Sequence, residues 1–473
     1  MADALWRWDE LATAAGGSAD GTPAGPVTGF SIDTRTLVPG DVFVALKAER
    51  DRHEFVAQAF ARGASAALVG RTYVRTPADG ALIRVDDPLR ALEQIGKAAR
   101  ARLGADARVI AVTGSAGKTG TKEMLRACLS QAGSVHAAEK SFNNHWGVPL
   151  TLARMPADVR FAVFEIGMNH AGEITPLAQM VRPHVTIITN VLPVHLGQFA
   201  SEEAIAEAKA EIFAGLGPGG IAILNRDNRH FSLLERKAHD AGGRVLSFGR
   251  TASAQVRATA MEPGPDGTQV TAVLSEGTVR YTVGAPGLHL AGNSLAVAAV
   301  LDAVGVAPET LAALAGVAAP QGRGARTTFP VPGGSVLLID ESYNANPASM
   351  RAALAALATV PREAFGRRIA VMGEMLELGP AAGEFHQRLK DAVDAAGVDQ
   401  VFACGCNMRL LFDSLPAGVR ARWSQTSDEL AGDLAAALRA GDVVMIKGSL
   451  GTRMAPVVAA VKARFGGSIG KTA

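Results

Sequence analysis

Cysteine is scarce in this sequence of 473 residues, which contains only Cys128, Cys404 and Cys406. Three thiols cannot build a framework of several disulfides, and they cannot supply the four thiolates of a structural zinc site. We therefore interpret them as small buried side chains of a protein that works in a reducing compartment.

Basic tracts and aromatic residues are also few. The formal net charge is +2, and aromatic residues make up 5% of the chain. Surfaces that bind nucleic acid are built from clustered cations and from rings that stack on bases, and the sequence shows neither. It therefore predicts no nucleic-acid partner.

Long apolar runs are missing as well. No stretch reaches ~18 apolar residues, the length that a membrane-spanning helix needs. The N-terminus carries Asp3, Arg7, Asp9 and Glu10, which a signal peptide would not have. We expect a cytoplasmic protein without a membrane span, and we expect it to be a monomer.

Strand-like runs alternate with helix-like segments along the chain, as in RVIAVTG, RFAVFEIG, HVTIITNV and GIAILN. Strands separated in this way pair in parallel, with helices on both faces of the sheet. We predict an α/β fold of three domains: a smaller α/β domain (1–88), a central domain on a doubly wound parallel sheet (89–318) and a Rossmann-like domain (319–473). The stretch 253–282 alternates weakly and is interpreted as a hairpin excursion.

The stretch VIAVTGSAGKTGTKEML resembles the phosphate-binding loop G-x-x-x-x-G-K-[ST], but only Ser115 and Ala116 separate Gly114 from Gly117. An apolar strand precedes it and a helical pattern follows, which is the context such a loop requires. Its backbone N–H groups and the helix N-terminus would hold an anion. Lys118 would reach the β- and γ-phosphates, and Thr119 would bind Mg²⁺. GTPases, kinases and ligases all have such a loop, so the reaction stays open.

Two polar residues lie just past predicted strands, where α/β sheets bind ligands. Glu165 ends the run FAVFE, and it is either a Mg²⁺ ligand or an exposed residue at the strand end. His195 follows TIITNVLPV, and it is either a structural histidine or a contact to metal or phosphate.

Lys209 lies on the apolar stripe of a predicted helix, between Ile205 and Ile212, whereas the acidic residues follow another face. A snorkelling lysine is one interpretation. The other is a buried amine, whose pKa would be lowered and which could react with CO₂ to give a carbamate. A carbamate offers oxygen ligands that suit Mg²⁺.

Together these residues resemble the Mur ligases, a family of ATP-dependent amide-forming enzymes with the same short loop. The resemblance extends over most of the chain, and its strings are SIDTRTLVPGDVFVALK, KSFNNHWGVPLTL, FEIGMNHAGEI, HLAGNSLAVAA, GRGAR, DESYNANPASM, VMGEMLELG and IKGSLGTRM. SYNANP and EIGMNHAGEI are typical of the member that joins D-alanyl-D-alanine to a UDP-N-acetylmuramoyl-tripeptide in cell-wall synthesis. Another ligase of this scaffold, such as a folylpolyglutamate-type enzyme, is the alternative.

The resemblance also implies roles for individual residues. Catalytic roles fall on Lys118, Glu165, His195 and Lys209. The metal ligands would be Thr119, Glu165, His195 and a carbamylated Lys209. ATP would be bound by Gly114, Ser115, Ala116, Gly117, Lys118, Thr119, Asn293, Arg326 and Asp340, with Arg323 a further candidate. The substrates would be held by Ser31, Asp33, Arg35, Asn143, Asn144, Tyr343, Asn344 and Asn346. Because the family has two aspartates where this chain has Asp340 and Glu341, either could contact ATP.

Overall fold

A computed structural model of the chain describes residues 4–47, 51–139, 141–193, 197–264, 267–285, 287–318 and 322–466. Within these ranges the strands form three sheets, one after another along the chain. None of the helices in these ranges combines the length and the apolar character that crossing a bilayer requires.

The first part of the chain forms a small sheet with helices beside it. Its elements are α1 (Trp8–Ala14), β1 (Ser18–Asp20), β2 (Gly29–Ser31), β3 (Asp41–Val44), α2 (Val56–Ala61), β4 (Ala66–Gly70), β5 (Ala81–Val85) and α3 (Pro88–Ala101). The strand order is β1-β5-β4-β3-β2, and only β1 is antiparallel to its neighbour.

Helix α3 leads from the first sheet into the second. Asp87 caps its N-terminus by accepting hydrogen bonds from Leu89 N–H (2.8 Å) and Arg90 N–H (3.4 Å), and Pro88 occupies the first helical position. Leu92 and Ile95 are buried in a core shared with strands of both sheets. The connection between the first two sheets is therefore a packed helix.

The central part forms the largest sheet. Its strands are β6 (Arg108–Thr113), β7 (Val135–Ala137), β8 (Phe161–Glu165), β9 (Val185–Ile188), β10 (Ile221–Asn225), β11 (Arg244–Gly249), β12 (Val256–Gly264), β13 (Gly267–Leu274) and β14 (Gly277–Val283). Its helices are α4 (Lys118–Leu129), α5 (Gly147–Ala153), α6 (Ile174–Val181), α7 (Glu202–Ala210), α8 (Phe231–Asp240) and α9 (Leu288–Val304).

The central sheet has the order β14-β13-β12-β11-β10-β9-β6-β8-β7, and it is parallel from β7 to β12. Alternate residues of β6 point to opposite faces. Val109 and Ala111 enter one apolar core, and Ile110 and Val112 enter another, so helices cover both faces. The stretch interpreted as a hairpin excursion forms β12, β13 and β14, a three-stranded antiparallel extension of this sheet.

The last part forms a third sheet. Its elements are β15 (Ala325–Val331), β16 (Gly334–Glu341), α10 (Pro347–Ala358), β17 (Arg367–Gly373), α11 (Ala382–Gln387), α12 (Lys390–Ala395), β18 (Gln400–Cys404), α13 (Met408–Ser414), β19 (Arg420–Ser424), α14 (Ser427–Ala437), β20 (Asp442–Lys447) and α15 (Ala455–Gly466). The order is β15-β16-β20-β17-β18-β19, and only β15 is antiparallel. The predicted α/β class is confirmed, while the domain boundaries at 88 and 318 stay predictions.

Candidate active site

A cleft of about 470 Å³ lies between the central and the last sheets, at the carboxyl ends of their parallel strands. This is where open α/β sheets bind ligands. Its central wall includes Ser115, Ala116, Gly117, Lys118, Asn143, Glu165, Asn190, His289 and Asn293. The facing wall includes Gly322, Arg323, Glu341, Tyr343, Asn344, Asn346 and Lys447.

The phosphate-type loop joins β6 to α4 and depends on its two glycines. Gly114 has φ +146° and Gly117 has φ +84°, a region that other residues rarely adopt. A Cβ atom on Gly117 would lie 2.1 Å from Nδ2 of Asn293, and one on Gly114 would lie 1.9 Å from Oγ1 of Thr189. Side chains of neighbouring segments therefore approach the loop backbone closely.

Lys118 is the first residue of α4. Its Nζ donates a hydrogen bond to the carbonyl of Gly114 (2.8 Å), so the amine lies over the loop. Burial lowers the pKa of Lys118, and the nearby carboxylate of Glu165 opposes that shift. An anion entering the loop would meet this amine.

Glu165 ends β8 and is only 1% exposed, so the interpretation of an exposed strand end is wrong. Its carboxylate accepts hydrogen bonds from Oγ1 of Thr119 (2.8 Å) and from Nδ2 of Asn143 (2.8 Å). These contacts bring the phosphate loop and the Asn143 segment to one buried acid. A buried carboxylate is stable only when it is paired in this way or bound to a cation.

Lys209 lies on α7 and is 2% exposed, so of its two interpretations the structure supports the buried amine rather than the snorkelling lysine. Its amine has no hydrogen bond or ion pair to any residue in the described ranges. Burial lowers the pKa of Lys209 well below its ordinary value, and the positive charge of Lys118 lowers it further. A lowered pKa favours the neutral, nucleophilic form of the amine, which is the form that carbamate formation requires.

His195 lies outside the described residues, so its predicted role stays a prediction. In the part of the chain that the structure describes, no cluster of three or more His, Cys, Asp or Glu side chains could hold a metal. Glu165 supplies one carboxylate there, and the Thr119 hydroxyl lies next to it.

The C-terminal wall distinguishes the two neighbouring acids. Asp340 is 3% exposed and accepts hydrogen bonds from the backbone N–H and the hydroxyl of Ser342. Glu341 lines the cleft and pairs with Lys447 (3.4 Å). Of the two residues left open by the sequence, Glu341 is therefore the one placed to meet a cleft ligand.

The two candidate arginines also differ. Arg323 lines the cleft, and its guanidinium lies 4.2 Å from the ring centre of Tyr343. Arg326 is an exposed residue of β15 and lies outside the cleft lining. The ATP contact expected of Arg326 stays a prediction.

The remaining predicted substrate residues fall into two groups. Asn346 lines the cleft and caps α10, since its Oδ1 accepts from Ser349 N–H (2.8 Å). Asn144 lies outside the cleft lining, and its Oδ1 accepts from Gly147 N–H (2.9 Å) at the start of α5. Ser31, Asp33 and Arg35 lie at and just after β2, also outside the cleft lining. Ser31 Oγ donates a hydrogen bond to Asp33 O (2.9 Å). The Arg35 guanidinium pairs with the Asp33 carboxylate (2.6 Å) and lowers the pKa of that carboxyl to about 2.

Sequence models of one enzyme family match two long segments of this chain. The Mur ligase middle domain matches residues 112–301, and the Mur ligase glutamate ligase domain matches residues 326–450. The chain belongs to the Mur ligase family. The predicted family is confirmed, and the cleft described above lies between the two matched segments.

Among individual Mur ligases, the UDP-N-acetylmuramoyl-tripeptide--D-alanyl-D-alanine ligase of Escherichia coli (strain K12) is 40% identical over 379 residues, which cover 79% of this chain and 80% of the relative. A crystal structure of MurF from Acinetobacter baumannii superposes with a TM-score of 0.82 at 30% identity, covering 97% of this chain and 99% of that one. MurF from Thermotoga maritima in complex with ADP superposes with a TM-score of 0.75 at 25% identity, covering 93% and 99%.

Asn190, His289 and Lys447 are polar cleft residues of this Mur ligase to which the sequence assigned no role. Lys447 ends the buried strand β20, as Glu165 ends β8, and its Nζ donates to the carbonyl of Asn344 (2.8 Å). A charged residue at the end of an apolar run is the sequence signal that could have identified Lys447. His289 lines the cleft at the start of α9, a placement that follows from tertiary packing and that sequence does not show.

Proposed function

We propose that this Mur ligase joins D-alanyl-D-alanine to a UDP-N-acetylmuramoyl-tripeptide at the expense of ATP. The observation that carries the proposal is the cleft itself, where the phosphate loop faces the Tyr343–Asn346 segment of the SYNANP string. The named relatives are ligases of these two substrates, and one relative was crystallised with ADP. The products are UDP-N-acetylmuramoyl-pentapeptide, ADP and phosphate.

The reaction needs activation because a carboxylate oxygen is a poor leaving group. The tripeptide carboxylate attacks the γ-phosphorus of ATP, the bond to the β-phosphate oxygen breaks, and an acyl phosphate and ADP result. The amine of D-alanyl-D-alanine then attacks the acyl carbon. The tetrahedral adduct loses a proton from nitrogen and expels phosphate, which leaves the new amide.

Lys118 supports the first step. Its amine lies over the loop, where the phosphates of ATP would replace the carbonyl of Gly114 as its partner. There it would offset the negative charge that spreads over the transferred phosphoryl group. Asn293 lies against the loop glycine, so we assign it to the same nucleotide.

The donor set fits a magnesium ion. Glu165 and the Thr119 hydroxyl lie together as oxygen donors, and Lys209 is a buried amine whose pKa is lowered by burial. Addition of CO₂ to the neutral form of this amine, with loss of a proton, would turn it into an oxygen ligand. We therefore assign Thr119, Glu165, carbamylated Lys209 and His195 to Mg²⁺, which would neutralise phosphate charge when bound.

The cleft also has to exclude water, because an acyl phosphate hydrolyses readily. We propose that the last domain moves against the central one about a hinge in 318–326, of which residues 319–321 lie outside the described ranges. The UDP end is assigned to Ser31, Asp33 and Arg35, beside the first sheet. A cytoplasmic, monomeric enzyme remains our expectation.

The test is ADP release measured with a panel of acceptors. Turnover with D-alanyl-D-alanine, together with a product of the matching mass, supports the assignment. Turnover with free amino acids instead would favour another Mur-type or folylpolyglutamate-type ligase. The Lys118→Ala variant is the control, since it removes the amine over the loop and should abolish turnover.

A further inference from the structure

The phosphate loop of this chain is held by the segment that follows β9. Asn190 makes a two-point contact with the backbone of Ala116: its Oδ1 accepts the Ala116 N–H (2.9 Å), and its Nδ2 donates to the Ala116 carbonyl (3.2 Å). The hydroxyl of Thr189 donates to the same carbonyl (2.6 Å). The backbone N–H and the backbone carbonyl of Ala116 are therefore both hydrogen-bonded to this segment.

Ser115 is fixed in the same way. Its N–H donates to the backbone carbonyl of Asn190 (3.0 Å), and its Oγ donates to the carbonyl of Leu192 (3.2 Å). The N–H of Leu192 in turn donates to Ser115 Oγ (3.0 Å). The two residues that separate the loop glycines thus point their N–H groups into the protein, away from an incoming anion.

This arrangement changes which groups can bind phosphate. The N–H groups of Gly117, Lys118 and Thr119 belong to the first turn of α4, and such groups have no acceptor within a helix. They remain for the anion, together with the positive end of the helix dipole. A loop with two residues between its glycines therefore depends on its neighbour for its shape.

We propose that Asn190 is a positioning residue of the nucleotide site: it fixes the backbone of Ala116 so that the N–H groups of Gly117–Thr119 converge on the terminal phosphates of ATP. The inference rests on the proposed function only in taking ATP as the nucleotide. Because Asn190 acts through the loop backbone, its loss should affect nucleotide binding and leave binding of the UDP-sugar unchanged.

Three variants test this inference. Asn190→Ala removes both contacts. Asn190→Asp is nearly isosteric but turns an oxygen toward the Ala116 carbonyl and adds charge near the phosphates. Gln255→Ala is the matched control, since its Oε1 accepts the backbone N–H of Ser247 (2.9 Å) in the same sheet, away from the cleft.

The measurements are calorimetric titration with ADP and Mg²⁺, thermal unfolding without nucleotide, and KM for each substrate. We expect both Asn190 variants to lose on the order of 10–100-fold in ADP affinity and in kcat/KM for ATP, with Asn190→Asp the weaker binder. Unfolding temperature and the KM for the UDP-sugar should match those of Gln255→Ala.

Folded Asn190 variants that bind ADP as tightly as wild type would overturn the inference, whether or not they are less stable. If Asn190→Ala does not fold, Asn190→Asp decides by the same titration. A wild-type protein that binds ADP but forms no pentapeptide would refute the proposed function alone, because the titration does not depend on turnover.

Discussion

The hydroxyl of Thr119 donates a hydrogen bond to Oε2 of Glu165 across 2.8 Å, and this contact joins the phosphate loop to the end of the neighbouring strand β8. The same hydroxyl is the group assigned to Mg²⁺. Its removal should therefore disturb both the acid and the ion.

The Thr119→Val variant tests this relationship. Valine keeps the shape of threonine but cannot donate to Glu165 or bind a cation. We expect kcat to fall on the order of 10–100-fold, as for other groups that orient a metal ligand. The KM for the UDP-sugar should stay unchanged. Thr119→Ser should retain most of the activity in a phosphate-release assay, and a Val variant with wild-type kcat would remove the hydroxyl from the mechanism.

Lys209 gives a second prediction. If its carbamate binds the metal, Lys209→Ala should lower kcat by about 10–100-fold. Formate or bicarbonate should restore part of the activity, because a small carboxylate can occupy the vacated volume. Independently of turnover, wild type in ¹³C-bicarbonate should show a carbamate resonance that is missing from the variant. Absence of both the resonance and the rescue would leave Lys209 a structural residue.

Gly117 and Gly219 form a matched pair. Both have positive φ, +84° and +73°, so alanine at either should cost about 1–2 kcal/mol of strain. Only at Gly117 would the new Cβ meet a side chain, that of Asn293, whereas no heavy atom lies within 4 Å of the corresponding position at Gly219. Gly117→Ala should therefore raise the KM for ATP strongly, and Gly219→Ala should not. Equal KM values would mean that the contact with Asn293 is unimportant.

The imidazole of His184 makes stability depend on pH. Its Nδ1 accepts the backbone N–H of Val109 (2.9 Å). Burial, together with the positive charges of Arg100 and Arg108, lowers the pKa of His184 from 6.5 to about 4. Between these two values the unfolded chain binds a proton that the folded protein does not. The free energy of unfolding should therefore have its highest value above pH 6.5 and should decrease as the pH falls from 6.5 toward 4.

Urea unfolding at a series of pH values checks this prediction. His184→Gln keeps an acceptor for Val109 N–H but cannot titrate, so its stability should be flatter over the same range. A variant with the same pH dependence as wild type would assign the effect to other groups.

The sequence predicted the elements whose signals are local. Alternating apolar strands and helices indicated the α/β class, the short loop followed β6 as expected, and the helical stripe through Ile205 placed Lys209 on the apolar face of its helix, where it is buried. The family resemblance supplied the reaction.

Residues whose roles depend on contacts between distant segments were not predictable in this way. Asn190 meets the loop only because β9 lies beside β6, and Glu341 rather than Asp340 lines the cleft because the last sheet faces the central one there. Periodicity gives the face of a residue but not which distant segment lies against it.

The central claim is that the cleft primes the tripeptide carboxylate by passing it the γ-phosphoryl group of ATP. The most direct test labels that carboxylate with ¹⁸O and follows the label through a complete reaction with D-alanyl-D-alanine. The account predicts one ¹⁸O atom in each phosphate released, in step with ADP and pentapeptide. Pentapeptide formed together with unlabelled phosphate would contradict it.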